Sequence, residues 1–172
     1  IGDYEKSFTS LTILRDLSQK QSNPQNKVKY LRELASFYGD LSKLDKVYPI
    51  INKAIEIANQ TEPQFRSLMT FKVLKLLQQG NIKEAKTELK KIEVLQEKGV
   101  KVNKIDVATI KAVIFGLENN FEQSDNQFLL ADKLIAEYNS TWRNKVFILS
   151  WKSIIALFQK NYQKLKAISL EY

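Results

Sequence analysis

With 172 residues, 44% apolar and 27% charged, the chain has the balance of a soluble globular protein and enough length for one ordinary core. It contains neither cysteine nor histidine, which excludes disulfides, thiolate or imidazole zinc sites and the commonest nucleophile–base pairs. The net charge of +8 is spread: Lys/Arg against Asp/Glu runs 9 to 7 over residues 1–60, 8 to 5 over 61–100 and 10 to 7 over 101–172. That is a mildly basic solvated surface, not a basic tail or cluster.

The first helical pattern runs from about Asp3 to Lys20, with Leu11, Ile13, Leu14 and Leu17 apolar. Ser22-Asn23-Pro24 then reads as a helix start, Asn23 as cap and Pro24 where its missing N–H costs nothing. That helix reaches about Asp40. The next starts at Leu44, with Asp45 as cap and Pro49 in the first turn. Thr61-Glu62-Pro63 repeats the cap-then-proline signal for a helix to about Gln79. Gly80 ends it by accepting positive φ, and Ile82, Ala85, Leu89 and Ile92 carry the following helix to Lys98 and Gly99. Asn103-Lys104-Ile105-Asp106 resembles a capping box for a helix apolar almost all round, in which Gly116 permits close helix contact. Helices from Phe121 to Tyr138, from a Ser140 or Thr141 cap through Phe158, and from Asn161 or Tyr162 onward complete the chain. No apolar run approaches the ~18 residues of a membrane span, so no membrane insertion of this segment is expected.

An internal repeat organises these elements. Gly80-Asn81-Ile82-Lys83-Glu84-Ala85 has imperfect copies around Tyr4, Leu44, Phe121 and Tyr162, and the anchors Tyr4, Leu44, Ile82, Phe121 and Tyr162 lie 40, 38, 39 and 41 residues apart. Gly39-Asp40-Leu41 also looks like the turn, but Leu44 gives the better register. Three residues after the anchor stand Ser7, Val47, Ala85, Ser124 and Leu165. Seven after it stand Leu11, Ile51, Leu89, Phe128 and Ser169, and ten after it Leu14, Ala54, Ile92, Ala131 and Tyr172. Nine before it stand Ala35, Val73, Ala112 and Ser153.

This pattern resembles the tetratricopeptide repeat, with units longer than the usual ~34 residues. The resemblance implies an all-α fold, a right-handed α-α superhelix of helical hairpins, with residues 1–172 as a single repeat domain of a longer chain. It also implies a protein- or peptide-binding scaffold working through a concave groove, in the manner of sensory or regulatory parts of bacterial signalling proteins. The carboxylate clamp of some members is absent, because Ser36, Leu74, Val113 and Ile154 stand where that clamp needs asparagine.

Two registers compete for the groove. Ten residues before the anchors stand Leu34, Lys72, Lys111 and Lys152, and Lys104, Lys111 and Glu118 form one stripe, as do Lys145, Lys152 and Gln159. Lysine is not buried unpaired, so Lys72, Lys104, Lys111, Lys145 and Lys152 read as a solvated face suited to an acidic peptide. The register of the family places the groove instead on Thr70, Leu74, Thr109, Val113, Ser150 and Ile154. Phe71, Trp142, Phe147 and Trp151 are candidates for a pocket floor, with core packing as the commoner role. Acid pairs such as Glu84/Glu88 and Glu122/Asp125 read as solvated faces, so no enzyme, metal or cofactor is expected. A self-associating scaffold whose groove is filled by flanking chain is the alternative, and nucleic-acid binding a weaker one.

Overall fold

The computed structural model describes residues 4–20, 23–41, 43–58, 63–138 and 142–171. Among them the secondary structure is entirely helical: α1 (Tyr4–Lys20), α2 (Pro24–Asp40), α3 (Leu44–Ile57), α4 (Pro63–Gln78), α5 (Ile82–Glu97), α6 (Lys104–Leu117), α7 (Phe121–Glu137), α8 (Trp142–Phe158) and α9 (Tyr162–Ser169). Helices α1, α3, α5, α7 and α9 begin at the five repeat anchors.

The corners before α5, α7 and α9 are the same turn three times. Two residues before each anchor the backbone is left-handed, at Gly80 (φ 74°), Asn119 (φ 62°) and Lys160 (φ 54°). The N–H of that residue donates to the carbonyl three back, from Gly80 to Leu77 (3.0 Å), Asn119 to Gly116 (3.1 Å) and Lys160 to Leu157 (2.9 Å). The next N–H reaches five back, from Asn81 to Leu76 (2.9 Å), Asn120 to Phe115 (2.8 Å) and Asn161 to Ala156 (2.9 Å). These paired bonds close the last turn of one helix by satisfying carbonyls that would otherwise be orphaned. The corner before α3 repeats the longer bond, Lys43 N–H to Tyr38 O at 2.9 Å. Glycine adopts left-handed φ freely and asparagine with little penalty, whereas a lysine there carries a cost of about 1–2 kcal/mol.

The residue after the left-handed one caps the next helix. Asn120 Oδ1 accepts from Gln123 N–H at 3.4 Å and Asn161 Oδ1 from Lys164 N–H at 3.0 Å. Asn23 and Asn103 cap α2 and α6 similarly, accepting from Gln25 N–H (2.9 Å) and Ile105 N–H (3.0 Å). Asn81 departs from this: its amide donates to Gln79 Oε1 instead, leaving α5 without a side-chain cap. Two expectations for α3 fail. Its cap is Lys43, without a side-chain bond, and Asp45 lies inside the first turn. Pro49 falls in the second turn and removes the bond that its N–H would give the Asp45 carbonyl. The expected caps at Thr61 and at Ser140 or Thr141 lie outside the described residues.

The chain divides into two compact units, Ile1–Lys75 and Leu76–Tyr172. In the first, α2 packs against both α1 and α3. Ala35, Val47 and Ile51, all fully buried, form its centre, with Tyr38, Ile50, Ile55 and Phe71 against them. Phe8 and Phe37 hold α1 to α2 at a ring separation of 6.3 Å.

In the second unit α6 pairs with α7 and α8 with α9, and α8 lies against both α6 and α7. Ala85, Ile92, Ala112, Ser124, Phe128 and Ala131, all at small or large repeat positions, are buried. Burial of the large Ile92 and Phe128 side chains stabilises the fold by about 1.5–3 kcal/mol each. Ser124 Oγ donates to Ala112 O at 2.8 Å, tying the two small positions of one hairpin together. The last copy is looser, with Ser153 half-buried and Ser169 exposed.

One close contact recurs in both units. A Cβ on Gly39 of α2 would lie 2.9 Å from Lys75 Nζ of α4, and one on Gly116 of α6 would lie 2.7 Å from Ile155 Cδ1 and Cγ2 of α8. Both glycines stand five residues before an anchor, and Lys75 and Ile155 seven before the next. Lysine's terminus can swing aside; a buried isoleucine has nowhere to go. Gly39→Ala should therefore be neutral or stabilising by up to about 1 kcal/mol through helix propensity. Gly116→Ala should instead cost about 1–3 kcal/mol through overpacking, with Ile155→Val recovering part of it. Urea unfolding midpoints of the three variants check this ordering.

Candidate functional site

Ion pairs form seams between neighbouring helices of α5 to α9. Lys86 Nζ lies 2.9 Å from Glu118 Oε1, and Lys111 Nζ lies 2.6 Å from Glu93 Oε1. The earlier residue of α5 meets the later residue beside α6, so the two helices run antiparallel along one stripe. Lys152 Nζ of α8 meets Asp132 Oδ2 of α7 at 2.6 Å, and Lys164 of α9 pairs with Asp125 of α7 while donating to Gln159 Oε1 at 3.3 Å.

These bonds obey the repeat. Glu93 and Asp132 both stand eleven residues after an anchor, and Lys111 and Lys152 ten before the next. Lys86 and Asp125 share the position four after an anchor, and Glu118 and Gln159 the position three before one. The lysine side chain keeps only 16% of its surface open at Lys152 against 36% at Lys111. Most of the Lys152 side chain is thus covered while its ammonium stays paired with Asp132.

Each residue expected in a groove can now be placed. Lys111 and Lys152 lie in the two seams, so an acidic ligand there would compete with Glu93 and Asp132. Lys104, at the start of α6, and Lys145, in the first turn of α8, are exposed. Trp151 is buried and belongs to the core of the second unit. In the first unit Lys72 is half-buried, and Thr70 is buried with its hydroxyl bonded to Ser67 O at 3.1 Å. Of the other groove candidates in the family register, Thr109 and Val113 are fully buried whereas Ser150 and Ile154 are exposed. Phe71 and Phe147 are half-buried and Trp142 is 75% exposed.

The acids of the seams are absent from the groove residues read from sequence. The signal for them was there: moving eleven residues on from Ile82 and Phe121 reaches a carboxylate both times. Between α1 and α2 an open cleft of about 330 Å³ is lined by Leu11, Leu14, Glu33, Ser36 and Phe37, among others. Among the described residues no three acidic side chains gather closely enough to hold a metal ion, and no helix is long and apolar enough to cross a membrane. Comparison with protein-family models and with curated proteins finds no match to the chain.

The seam predicts a stability phenotype distinct from any binding role. Lys152→Glu places two carboxylates together and should lower the unfolding free energy by on the order of 1 kcal/mol, the upper range for a partly exposed pair. Lys111→Glu, in the more exposed seam, should cost less. Combining Lys152→Glu with Asp132→Lys should restore most of the loss, which a double-mutant cycle in urea measures.

Proposed function

We propose that the chain is a tetratricopeptide-like array acting as a protein- or peptide-binding scaffold, in the sensory or regulatory part of a bacterial signalling protein. The observation that carries this reading is the recurrence of one corner, with its left-handed residue and paired backbone bonds, before helices spaced about 40 residues apart. Hairpins repeated at a fixed spacing present side chains from preordered helices, so a bound segment meets a surface whose ordering cost is already met. Lys104 and Lys145 are the exposed members of the lysine stripes and favour an acidic segment. Nucleic acid is the weaker reading because the positive charge is interleaved with acids in the seams.

The right-handed superhelix that belongs to this reading has a direct measurement. A compact domain of this length would have a radius of gyration of about 15–16 Å, and small-angle scattering should give a larger value for an array. A value at the compact figure would remove the concave groove.

Binding is tested by anisotropy titration of a short glutamate-rich peptide against the full chain. Lys104→Glu with Lys145→Glu should weaken it at least about tenfold, or 1.4 kcal/mol, with helicity unchanged. Single-stranded DNA should bind weakly, with an affinity that collapses between low and physiological salt. An unchanged peptide affinity in the double variant, or tight DNA binding that survives salt, would overturn the assignment.

A further inference from the structure

Helix α7 carries an exposed pair of leucines where no other copy of the repeat has two apolar residues. Leu129 and Leu130 are 53% and 43% exposed. They stand eight and nine residues after their anchor, where the other copies have Thr12-Ile13, Asn52-Lys53, Lys90-Lys91 and Leu170-Glu171. Asn52, Lys53, Lys90 and Lys91 are exposed as well, in helices that have further helices after them in the same unit. No neighbouring repeat covers the position there, so packing between repeats is not what the two leucines serve. A single exposed leucine needs no explanation; two side by side, where α3 and α5 are polar, do.

The stripe that holds Leu129 is complementary to itself. Glu122, Asn126, Leu129 and Lys133 follow one another at helical spacing along α7 and are all exposed. Asp125 and Asp132, to one side of the stripe, are held by Lys164 and Lys152. Glu122 and Lys133 have no ion-pair partner among the described residues. A second α7 laid antiparallel about the midpoint between Gln127 and Phe128 sets Glu122 of each copy opposite Lys133 of the other. The two pairs would lie about 16 Å apart along the axis, one at each end of the contact. In the middle the two Leu129 side chains come within one helical turn of each other, with Leu130 of each copy beside them.

We infer that α7 is the contact face of a weak homodimer, in which two copies meet antiparallel through Leu129 and Leu130 and pair Glu122 with Lys133 across the interface. A contact of one helix face falls below the ~1,200 Å² at which standard-sized interfaces begin, so the association depends strongly on concentration. It uses neither Lys104 nor Lys145 and does not rest on peptide binding.

The test is sedimentation equilibrium of the full chain up to about 1 mM, a range in which weak association is read directly. A concentration-dependent dimer is expected. Leu129→Lys with Leu130→Lys, which copies Lys90 and Lys91 of α5, should weaken it at least about tenfold with helicity unchanged. Glu122→Lys and Lys133→Glu should each weaken it in the same direction, and the two combined should restore it. A chain that stays monomeric throughout overturns the proposal and leaves the leucines to a different occupant. Self-association indifferent to the leucine variant also overturns it, because the contact would then lie elsewhere, and so does failure of the reversed charges to rescue. Acidic-peptide binding by the leucine variant should match that of the unaltered chain, so this contact and the Lys104 and Lys145 site fail separately.

Discussion

The hairpin corner is the constraint from which the rest follows. A residue in left-handed space lets a helix be turned back on itself in a few residues, because the chain reverses while the last carbonyls still find donors. At Gly80, Asn119 and Lys160 that happens at the same distance from the next helix, with the same two backbone bonds. Fixing the corner fixes which side chains of the two helices meet. The small residue three after the anchor then lies opposite the small residue nine before it, as Ser124 and Ala112 show by sharing a hydrogen bond.

Once the hairpins are alike, the contacts between them become alike as well. The glycine five before an anchor receives a residue seven before the next, in α2 with α4 and in α6 with α8. The lysine ten before an anchor finds an acid eleven after the preceding one, at Lys111–Glu93 and Lys152–Asp132. Neither contact is strong alone, an exposed pair being worth about 0.2–1 kcal/mol. Their value lies in register: sliding one helix along its neighbour would bury an unpaired ammonium and drive Ile155 off its glycine. Apolar burial supplies the stability, and these contacts select one of the arrangements that burial alone would allow.

Much of this was legible in the sequence, for a physical reason. Corner residues are chosen by backbone conformation, so Gly80-Asn81 and Asn119-Asn120 announce themselves, and every second helix starts at its anchor. Lys160 is harder to read, since nothing about a lysine suggests left-handed φ; only its place in the repeat does. Asp45 misleads because an acid near a helix start is as useful in the first turn as at the cap. Solvated stripes were also visible, because Lys104, Lys111 and Glu118 interrupt an otherwise apolar helix. What the stripe faces was not visible, since a lysine at the edge of a packed seam and one in an open groove leave the same trace in a single helix. Reading the acids at the same repeat offset is what separates the two.

The face bearing Thr109, Val113 and Gly116 on α6 and that bearing Ser150, Ile154 and Leu157 on α8 are equivalent by position and opposite in exposure. Composition does not explain this: both present aliphatic surface with one hydroxyl. The difference is that α8 packs on the α6 face. One repeat position is therefore core in one copy and surface in another, so its burial follows from what packs beside it and not from its place in the repeat.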